Sequence, residues 1–501
     1  MTLDFYCGDE YVPMHFYEAM QIFAHLYGMP GLHPGAEGAE FLRAAQNAGT
    51  DTGASGALTL SGDGGDGVIF FDEETARRDA FADDPVLAAH PELADGKNLL
   101  KRQLYMALKG VYGYDSPWGA LTGVRPTKVF HNLLKAGLSE DEASEHFMRF
   151  FGTSEKKTSL CAETFANQRR FLGAKEGECG LYVSIPFCPT ICSYCTFGSS
   201  PVARYSKRID EYVDRLVEEL EFTAELMNGK LSPSSVYIGG GTPTSISAEQ
   251  LARVMNKITE LFGSEEIDEF SVEAGRPDTI TLDKLAAAKE CGATRVSINP
   301  QTMNAETLKT IGRAHTPEQT EEAFRLARKL GFENINMDLI AGLPGESAED
   351  FAQTLDEIGK MGPDGLTVHT LALKRASRLA KDDIMKSRVR ALETEKMCDA
   401  GFEFAHANGL RPFYMYRQKN CVGNNENVSY CRPGMESPYN IHIMEEDMTV
   451  VACGAGAVTK VVKDGGRFIK RFFNTKSVDE YYTAAETVKS RKEEALKALF
   501  S

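Results

Sequence analysis

Three cysteines in Phe187-Cys188-Pro189-Thr190-Ile191-Cys192-Ser193-Tyr194-Cys195 are spaced C-x3-C-x2-C, and no fourth cysteine follows nearby. Cysteine thiolates are the usual ligands of iron–sulfur clusters, and a cubane cluster presents four irons. Three protein ligands leave one iron open, and an open position marks a site of chemistry, as it does at catalytic zinc sites. The spacing by itself also admits a zinc site without a nearby fourth ligand, or three unrelated thiols.

Other candidate groups recur just after short apolar runs. Gly239-Gly240-Gly241-Thr242-Pro243-Thr244 lets the backbone approach a ligand closely and offers N–H donors. It lacks the lysine of a P-loop, and an ordinary turn is the alternative. Glu273, Gln301 and Asp338 each end such a run, and Arg313 follows Gln301 closely. Each alone reads as structural. Together they form the polar set suited to an adenosine ribose and an amino-acid head group. Tyr194, between two cysteines, is placed either to stack on an aromatic ligand or simply to pack its loop. Lys374, Arg375, Arg378, Arg417 and Lys419 are basic groups that would suit a carboxylate-bearing substrate, or else solvated surface charges.

The elements that must position these residues alternate. Apolar strands are expected at Leu181–Ile185, Ser235–Ile238, Glu269–Val272, Arg295–Ile298, Asn334–Leu339 and Gly365–His369. Helical periodicity lies between them at Arg208–Met227, Ala248–Leu261, Leu282–Cys291, Glu318–Leu330 and Ala348–Met361. That alternation implies an α/β fold with a parallel sheet, a partial barrel or a doubly wound sheet, with function at the carboxyl ends of its strands. Residues 1–115 read as a small α/β module, with a helix at Met14–Tyr27, strands at Ala57–Ser61 and Gly67–Phe71 and a helix at Lys97–Tyr112. Residues 116–175 read as a mainly helical connector, 176–390 as the core, and 391–501 as a smaller C-terminal domain with a helix at Val389–Asn408 and strands near Thr449–Val451 and Arg467–Phe473.

The whole chain sets limits. Its 501 residues exceed one ordinary core. A formal charge of −17 argues against nucleic acid, whose binding relies on clustered Lys and Arg. No run approaches the ~18 apolar residues of a spanning helix, so stable membrane insertion is not expected. The start lacks the basic and apolar pattern of a signal peptide. Eleven cysteines, an odd number scattered outside the triplet, make no disulfide framework, and a cytoplasmic setting is expected.

Taken together, Tyr182-Val-Ser-Ile-Pro-Phe-Cys188 with Cys192 and Cys195, the Gly239–Thr244 run, Glu273, Gln301, Arg313 and Asp338 resemble the radical S-adenosylmethionine enzymes. More narrowly, Pro117-Trp-Gly, Leu121-Thr-Gly-Val-Arg-Pro-Thr-Lys128, Val272-Glu-Ala-Gly-Arg-Pro-Asp278, Asn336-Met-Asp-Leu-Ile340, Leu366-Thr-Val-His-Thr370, Lys374-Arg-Ala-Ser377 and Tyr416-Arg-Gln-Lys-Asn420 resemble the HemZ-type branch of the oxygen-independent coproporphyrinogen III dehydrogenases. The resemblance implies a partial (β/α)6 barrel and a 4Fe-4S cluster on Cys188, Cys192 and Cys195, with S-adenosylmethionine on the free iron. It implies that Tyr182, Gly240, Gly241, Thr242, Glu273, Gln301, Arg313, Asp338 and Ala372 line the S-adenosylmethionine site. Where two such molecules bind, Gly241 and Thr242 would face the second.

The activity implied is oxidative decarboxylation of two propionates of coproporphyrinogen III to vinyl groups in haem biosynthesis. The electron donor would be a low-potential carrier such as a flavodoxin or ferredoxin, and Lys374, Arg375 and Arg417 would clamp propionates. The alternatives are a haem-binding chaperone on the same scaffold, for which His369 and His442 are candidate axial ligands, and another radical reaction such as methylation. Two departures stand out. Relatives proven as dehydrogenases tend to carry a fourth cysteine where this chain has Phe197, a feature shared with the haem chaperones. Many also carry histidine where Ser184 stands.

Overall fold

The computed structural model describes residues 2–6, 56–61, 67–71, 73–113, 115–373, 379, 388–418 and 420–500. The chain divides into two units. The first comprises Met1–Phe165, Asp382–Glu395 and Arg417–Glu426, and the second comprises Ala166–Lys381, Lys396–Tyr416 and Asn427–Ser501. The helix expected at Met14–Tyr27 lies outside the described residues.

In the first unit, β1 (Thr2–Tyr6), β2 (Gly56–Ser61) and β3 (Gly67–Phe71) form an antiparallel sheet in chain order. Six helices follow: α1 (Glu73–Asp83), α2 (Pro85–Ala89), α3 (Gly96–Tyr112), α4 (Pro126–Lys135), α5 (Glu140–Phe150) and α6 (Glu155–Gln168). Ser139 caps α5 in a reciprocal capping box with Glu142. Phe130 and Phe147 meet edge to face in the core between α4 and α5. Asp84, the N-cap of α2, is buried and holds the ring of His146 at 2.6 Å.

The second unit is an α/β fold on a mixed sheet. Six strands run parallel: β4 (Glu178–Ile185), β7 (Ser232–Gly240), β8 (Glu269–Gly275), β9 (Arg295–Ile298), β10 (Asn334–Ala341) and β11 (Gly365–Thr370). Between the first two lie the short β5 (Phe187–Cys188) and β6 (Ser200–Pro201), which pair with each other. The parallel strands lie side by side in chain order. Right-handed crossovers between consecutive neighbours put every helix on the same face. Accordingly α7 (Ile209–Met227) packs on α8 (Ala248–Phe262), α8 on α9 (Leu282–Glu290), and α9 on α10 (Pro317–Lys329), in one layer beside the sheet. α11 (Ala348–Met361) follows β10 in the same sequence.

Local chemistry starts these helices. Ser247, Thr316 and Ser347 each accept from the N3 backbone, while Gln250, Gln319 and Asp350 return the bond. In α8 the buried residues Leu251, Val254, Met255, Ile258 and Phe262 fall on one face, at the spacing that covers a sheet.

The C-terminal residues add strands to both sides of this sheet. After α12 (Arg388–Ala407), β12 (Arg411–Arg417) and β13 (Glu426–Cys431) lie beyond β11, with β13 antiparallel to it. On the other side β14 (Val450–Cys453) runs parallel to β4 and continues through β15 (Val458–Lys463) and β16 (Phe468–Phe473). The last helix, α13 (Ala485–Phe500), packs on β15 and α7. Among the described residues no helix is long and apolar enough to cross a membrane.

Candidate functional site

β4 delivers the chain to the carboxyl edge of the sheet, and the cysteine loop starts three residues later. Pairing of β5 with β6 closes the loop at its base, with Phe187 opposite Ser200 and Cys188 opposite Pro201. Cys188 and Cys192 are buried and Cys195 is half-buried. Burial pushes the Cys188 and Cys195 thiols up, and neighbouring cysteines of the triplet push them further. The three sulfurs are therefore within electrostatic reach of one another. Among the described residues no three His, Cys, Asp or Glu side chains converge closely enough to hold a single metal ion. Three thiolates on one loop are the donor type that an iron–sulfur cluster takes, one per iron.

The glycine run packs directly against this loop. A side chain on Gly240 would meet the Ser184 hydroxyl at 2.8 Å, and φ there is +113°. One on Gly241 would stand 2.6 Å from the Phe187 carbonyl oxygen. Thr242 donates its N–H to that same carbonyl at 2.7 Å, and its hydroxyl lies 3.4 Å from the Cys188 sulfur. The run thus fixes the base of the cysteine loop. Gly241→Ala is expected to force Phe187, and Cys188 with it, to move. Overpacking of this kind costs about 1–3 kcal/mol. A lower denaturant midpoint together with poorer iron uptake on reconstitution is the expected result; a variant matching the parent in both would count against it.

Further along the edge, β8 brings Glu273, β10 brings Asp338, and Gln301 follows β9. Gln301 has φ +70°, an unusual angle for a residue with a side chain. Its backbone is clamped on both sides: its N–H donates to the Asp338 carbonyl, and its carbonyl accepts from Ile340, both at 2.9 Å. The residue is only 8% exposed, and its Oε1 has no partner among the described residues. A buried amide oxygen without a partner is costly unless something else supplies a donor. This is the strongest local sign of a ligand, since an amino group placed there would meet it.

Tyr237 donates its hydroxyl to Glu273 Oε1, and its ring stacks on Tyr439 at 4.7 Å and faces Tyr182 at 6.3 Å. Burial, then the charge of Asp338, pushes the Glu273 carboxyl above its ordinary range. Burial would raise Asp338 as well, but His369 and Asn336 hold it below its ordinary value. Asn336 donates to Asp338 Oδ1 at 2.7 Å, and His369 Nε2 lies 3.6 Å from Oδ2. Burial alone would lower the His369 imidazole, yet the hydrogen bond and charge of Asp338 lift it above the usual histidine value. Tyr416 Oη sits 3.3 Å from His369 Nδ1.

The sign of the pH effect follows from these two shifts. The pair stabilises the fold fully between the ordinary aspartate and histidine values, 3.8 and 6.5. It is lost as pH rises through the elevated His369 value, and as pH falls through the depressed Asp338 value. Melting curves of the parent and His369→Gln should therefore differ most near pH 5–6 and converge at alkaline pH. A difference that does not change with pH would contradict the charged pair.

Arg313 is buried and turned toward the cysteine loop. Its Nη1 donates to Tyr194 Oη at 3.0 Å, Nη2 to the Asn299 carbonyl at 2.5 Å, and Nε to His315 Nδ1 at 3.4 Å. Tyr194 is thereby engaged through its hydroxyl. Ala372 follows β11 and is half-buried. Lys374 and Arg375 lie outside the described residues.

Arg417 belongs to the first unit and is 2% exposed. It donates to the carbonyls of Leu121 and, at 3.0 Å, Asn424, and lies over the Trp118 ring at 5.1 Å. The Trp118 N–H and the Lys157 ammonium, each at 2.6 Å, hold the neighbouring Glu426 carboxylate.

Sequence reasoning did not single out Tyr237, Tyr439 or Asn336. One signal was available for Tyr237: it is paired with Tyr182 across β4 and β7, and both alternate with buried Val183 and Ile238. Two tyrosines at one register on the opposite face from the apolar residues mark a polar interior.

Residues 182–358 match the Radical SAM superfamily. The chain is 39% identical, over 81% of its own length and 82% of the relative's, to the oxygen-independent coproporphyrinogen-III oxidase-like protein HemZ of Bacillus subtilis. It is 31% identical to the haem chaperone HemW of the same organism over 55% of this chain and 69% of that one. The structure of coproporphyrinogen III oxidase HemN from Escherichia coli, a radical SAM enzyme, matches with a TM-score of 0.51 at 25% identity, covering 64% of this chain and 72% of that chain.

Proposed function

The chain belongs to the radical S-adenosylmethionine superfamily, in the HemZ-type branch of the oxygen-independent coproporphyrinogen III oxidase group, and from that membership we propose that it decarboxylates propionates of coproporphyrinogen III to vinyl groups. The observation that carries the reading is a three-cysteine loop at the strand edge, on the same rim as the buried Gln301 amide oxygen, which has no partner among the described residues. In this reading Cys188, Cys192 and Cys195 each ligate one iron of a 4Fe-4S cluster. Tyr182, Gly240, Glu273, Gln301, Arg313, Asp338 and Ala372 line the S-adenosylmethionine site, and Gly241 and Thr242 face a second molecule.

When bound, these cofactors would supply hydrogen-atom abstraction at a propionate β-carbon, and loss of carbon dioxide with transfer of one electron to a one-electron acceptor would leave the vinyl group. The protein contributes placement. Gln301 Oε1 accepts from an amino group, and the Asp338 carboxylate, held ionised by His369 and Asn336, accepts from ribose hydroxyls. The Glu273 carboxyl, raised above its ordinary range by burial and by the charge of Asp338, is held by the Tyr237 hydroxyl. The Tyr182, Tyr237 and Tyr439 rings exclude water from a site that must protect a radical. Lys374 and Arg375 are the proposed contacts for propionates, whereas Arg417, buried with its guanidinium on the Leu121 and Asn424 carbonyls, is no longer proposed as one. A flavodoxin or ferredoxin in the cytoplasm is the proposed electron donor.

A second reading, haem delivery, is favoured by one feature. Phe197 stands where proven dehydrogenases tend to have a fourth cysteine, and its side chain is 73% exposed. Anaerobic incubation of the reconstituted protein with S-adenosylmethionine, a reductant and coproporphyrinogen III separates the two. Accumulation of protoporphyrinogen IX supports the enzyme. Stoichiometric haem binding without turnover supports the chaperone.

A further inference from the structure

The cysteine loop is held from outside by a residue that neither its spacing nor the cofactor site assigns. Arg276 follows directly on β8, after Gly275, whose φ is +68°. Its side chain is 3% exposed. Nε and Nη2 make a fork with the two oxygens of Asp278, at 3.0 and 2.8 Å, which fixes the plane of the guanidinium. The remaining nitrogen, Nη1, donates to two atoms of one residue: the Thr190 carbonyl at 3.1 Å and the Thr190 hydroxyl at 2.6 Å. That hydroxyl in turn donates to the Gly312 carbonyl at 3.0 Å. Thr190 is the midpoint of the segment between Cys188 and Cys192. Ser193, one residue past Cys192, donates its N–H to the Ile311 carbonyl at 2.9 Å. The stretch that must set the spacing of two thiolates is therefore tied to two other loops, and Arg276 supplies two of the ties.

The charge around the loop points the same way. Arg276 and Arg313 both reach it, and Asp278 offsets one of them. His315 adds no charge near neutral pH, because burial and these guanidiniums bring it down to about 3. A cluster on three thiolates gains negative charge when reduced, and net charge and hydrogen bonding are what the protein uses to set its potential.

We propose that Arg276 is a positioning residue for the iron–sulfur site: through Thr190 it holds Cys188 and Cys192 at ligating distance, and its buried charge favours the reduced cluster. The proposal rests on the reading of the three cysteines as cluster ligands, but not on any tetrapyrrole chemistry. Lysine in place of Arg276 would keep the charge yet could not grip Asp278 as a fork and reach Thr190 together.

The test uses the full chain, reconstituted anaerobically as parent, Arg276→Met, Arg276→Lys and Asp278→Asn, without S-adenosylmethionine or porphyrinogen. Cluster absorbance is followed against increasing chelator, and the midpoint potential is read by electron paramagnetic resonance during reductive titration. Arg276→Met should lose its cluster at about 10- to 100-fold lower chelator concentration, and its potential should move to more negative values. Arg276→Lys should recover the potential but not the chelator resistance, and Asp278→Asn should lose part of that resistance. If Arg276→Met proves too unstable to purify, the Lys and Asn variants still decide. Parent-like chelator resistance and potential in the variants overturns the proposal while leaving the cysteine assignment intact. Failure of the parent itself to take up a cluster overturns both.

Discussion

Cys192→Ala is expected to yield a folded, colourless protein after reconstitution, with less than one cluster per chain and no reductive cleavage of S-adenosylmethionine above background. Each iron with a protein ligand depends on one thiolate, and losing one of three leaves a cluster with two open irons. Cys179, Cys431 and Cys453 are buried in strands, and burial pushes each of their thiols upward, away from the thiolate that iron needs. The fold should survive, because the sheet beneath the loop is built by β4 and its neighbours and not by the loop. Iron and sulfide analysis with the visible spectrum makes the test. Persistence of a full cluster in Cys192→Ala would remove the ligand assignment.

The largest stability effect is expected beside β4, where α13 is fastened to α7 and β15. Glu219 on α7 receives four donors: Lys492 at 3.1 Å and Asn474 at 2.9 Å on Oε1, and Tyr481 at 2.6 Å and the Gly454 N–H at 2.9 Å on Oε2. Both ionic side chains are buried. Glu219→Ala would leave the Lys492 ammonium in the interior without its counter-charge and strand three other donors. Removing one member of a buried ion pair costs about 3–5 kcal/mol. Urea denaturation should show a loss of that size, with faster amide exchange in Ala485–Phe500. Glu219→Ala combined with Lys492→Met should be less damaging than Glu219→Ala alone, because the stranded charge is gone. An additive or worse double variant would contradict the buried-charge account.

The parallel core was legible in the sequence because strands covered on both faces read as short apolar runs, and helices as apolar faces with capping residues. Arg295–Ile298 and Ala348–Met361 have the bounds that periodicity implies. β13, Glu-Asn-Val-Ser-Tyr-Cys, was not legible, since Glu426, Asn427 and Ser429 look like surface residues. They are buried, and their side chains are used inward: Asn427 accepts from the Thr370 N–H at 2.9 Å and donates to the Tyr416 carbonyl at 3.2 Å, while Ser429 meets the Thr367 hydroxyl at 2.9 Å. A strand lining a polar interior carries no apolar signature.

The cysteine triplet was visible from its spacing, and Glu273, Gln301 and Asp338 because each closes a short apolar run, although Glu273 and Asp338 lie within β8 and β10, which run on past them. The roles of Arg276 and His369 were not. They depend on which loops and strands meet, Thr190 with Arg276 and Asp338 with His369, across separations in sequence that no local pattern encodes. Nor does sequence distinguish a cation in solvent from Arg417, held between a Trp ring and two carbonyls.

In the proposed activity a radical generated at the cysteine loop attacks a propionate. Coproporphyrinogen III deuterated at the propionate β-carbons, incubated anaerobically with the reconstituted protein, S-adenosylmethionine and a reductant, tests it by mass spectrometry of the nucleoside product. The account predicts 5′-deoxyadenosine carrying one deuterium, formed in step with the loss of propionates to vinyl groups. Unlabelled 5′-deoxyadenosine with intact coproporphyrinogen, alongside tight binding of one haem per chain, would contradict it.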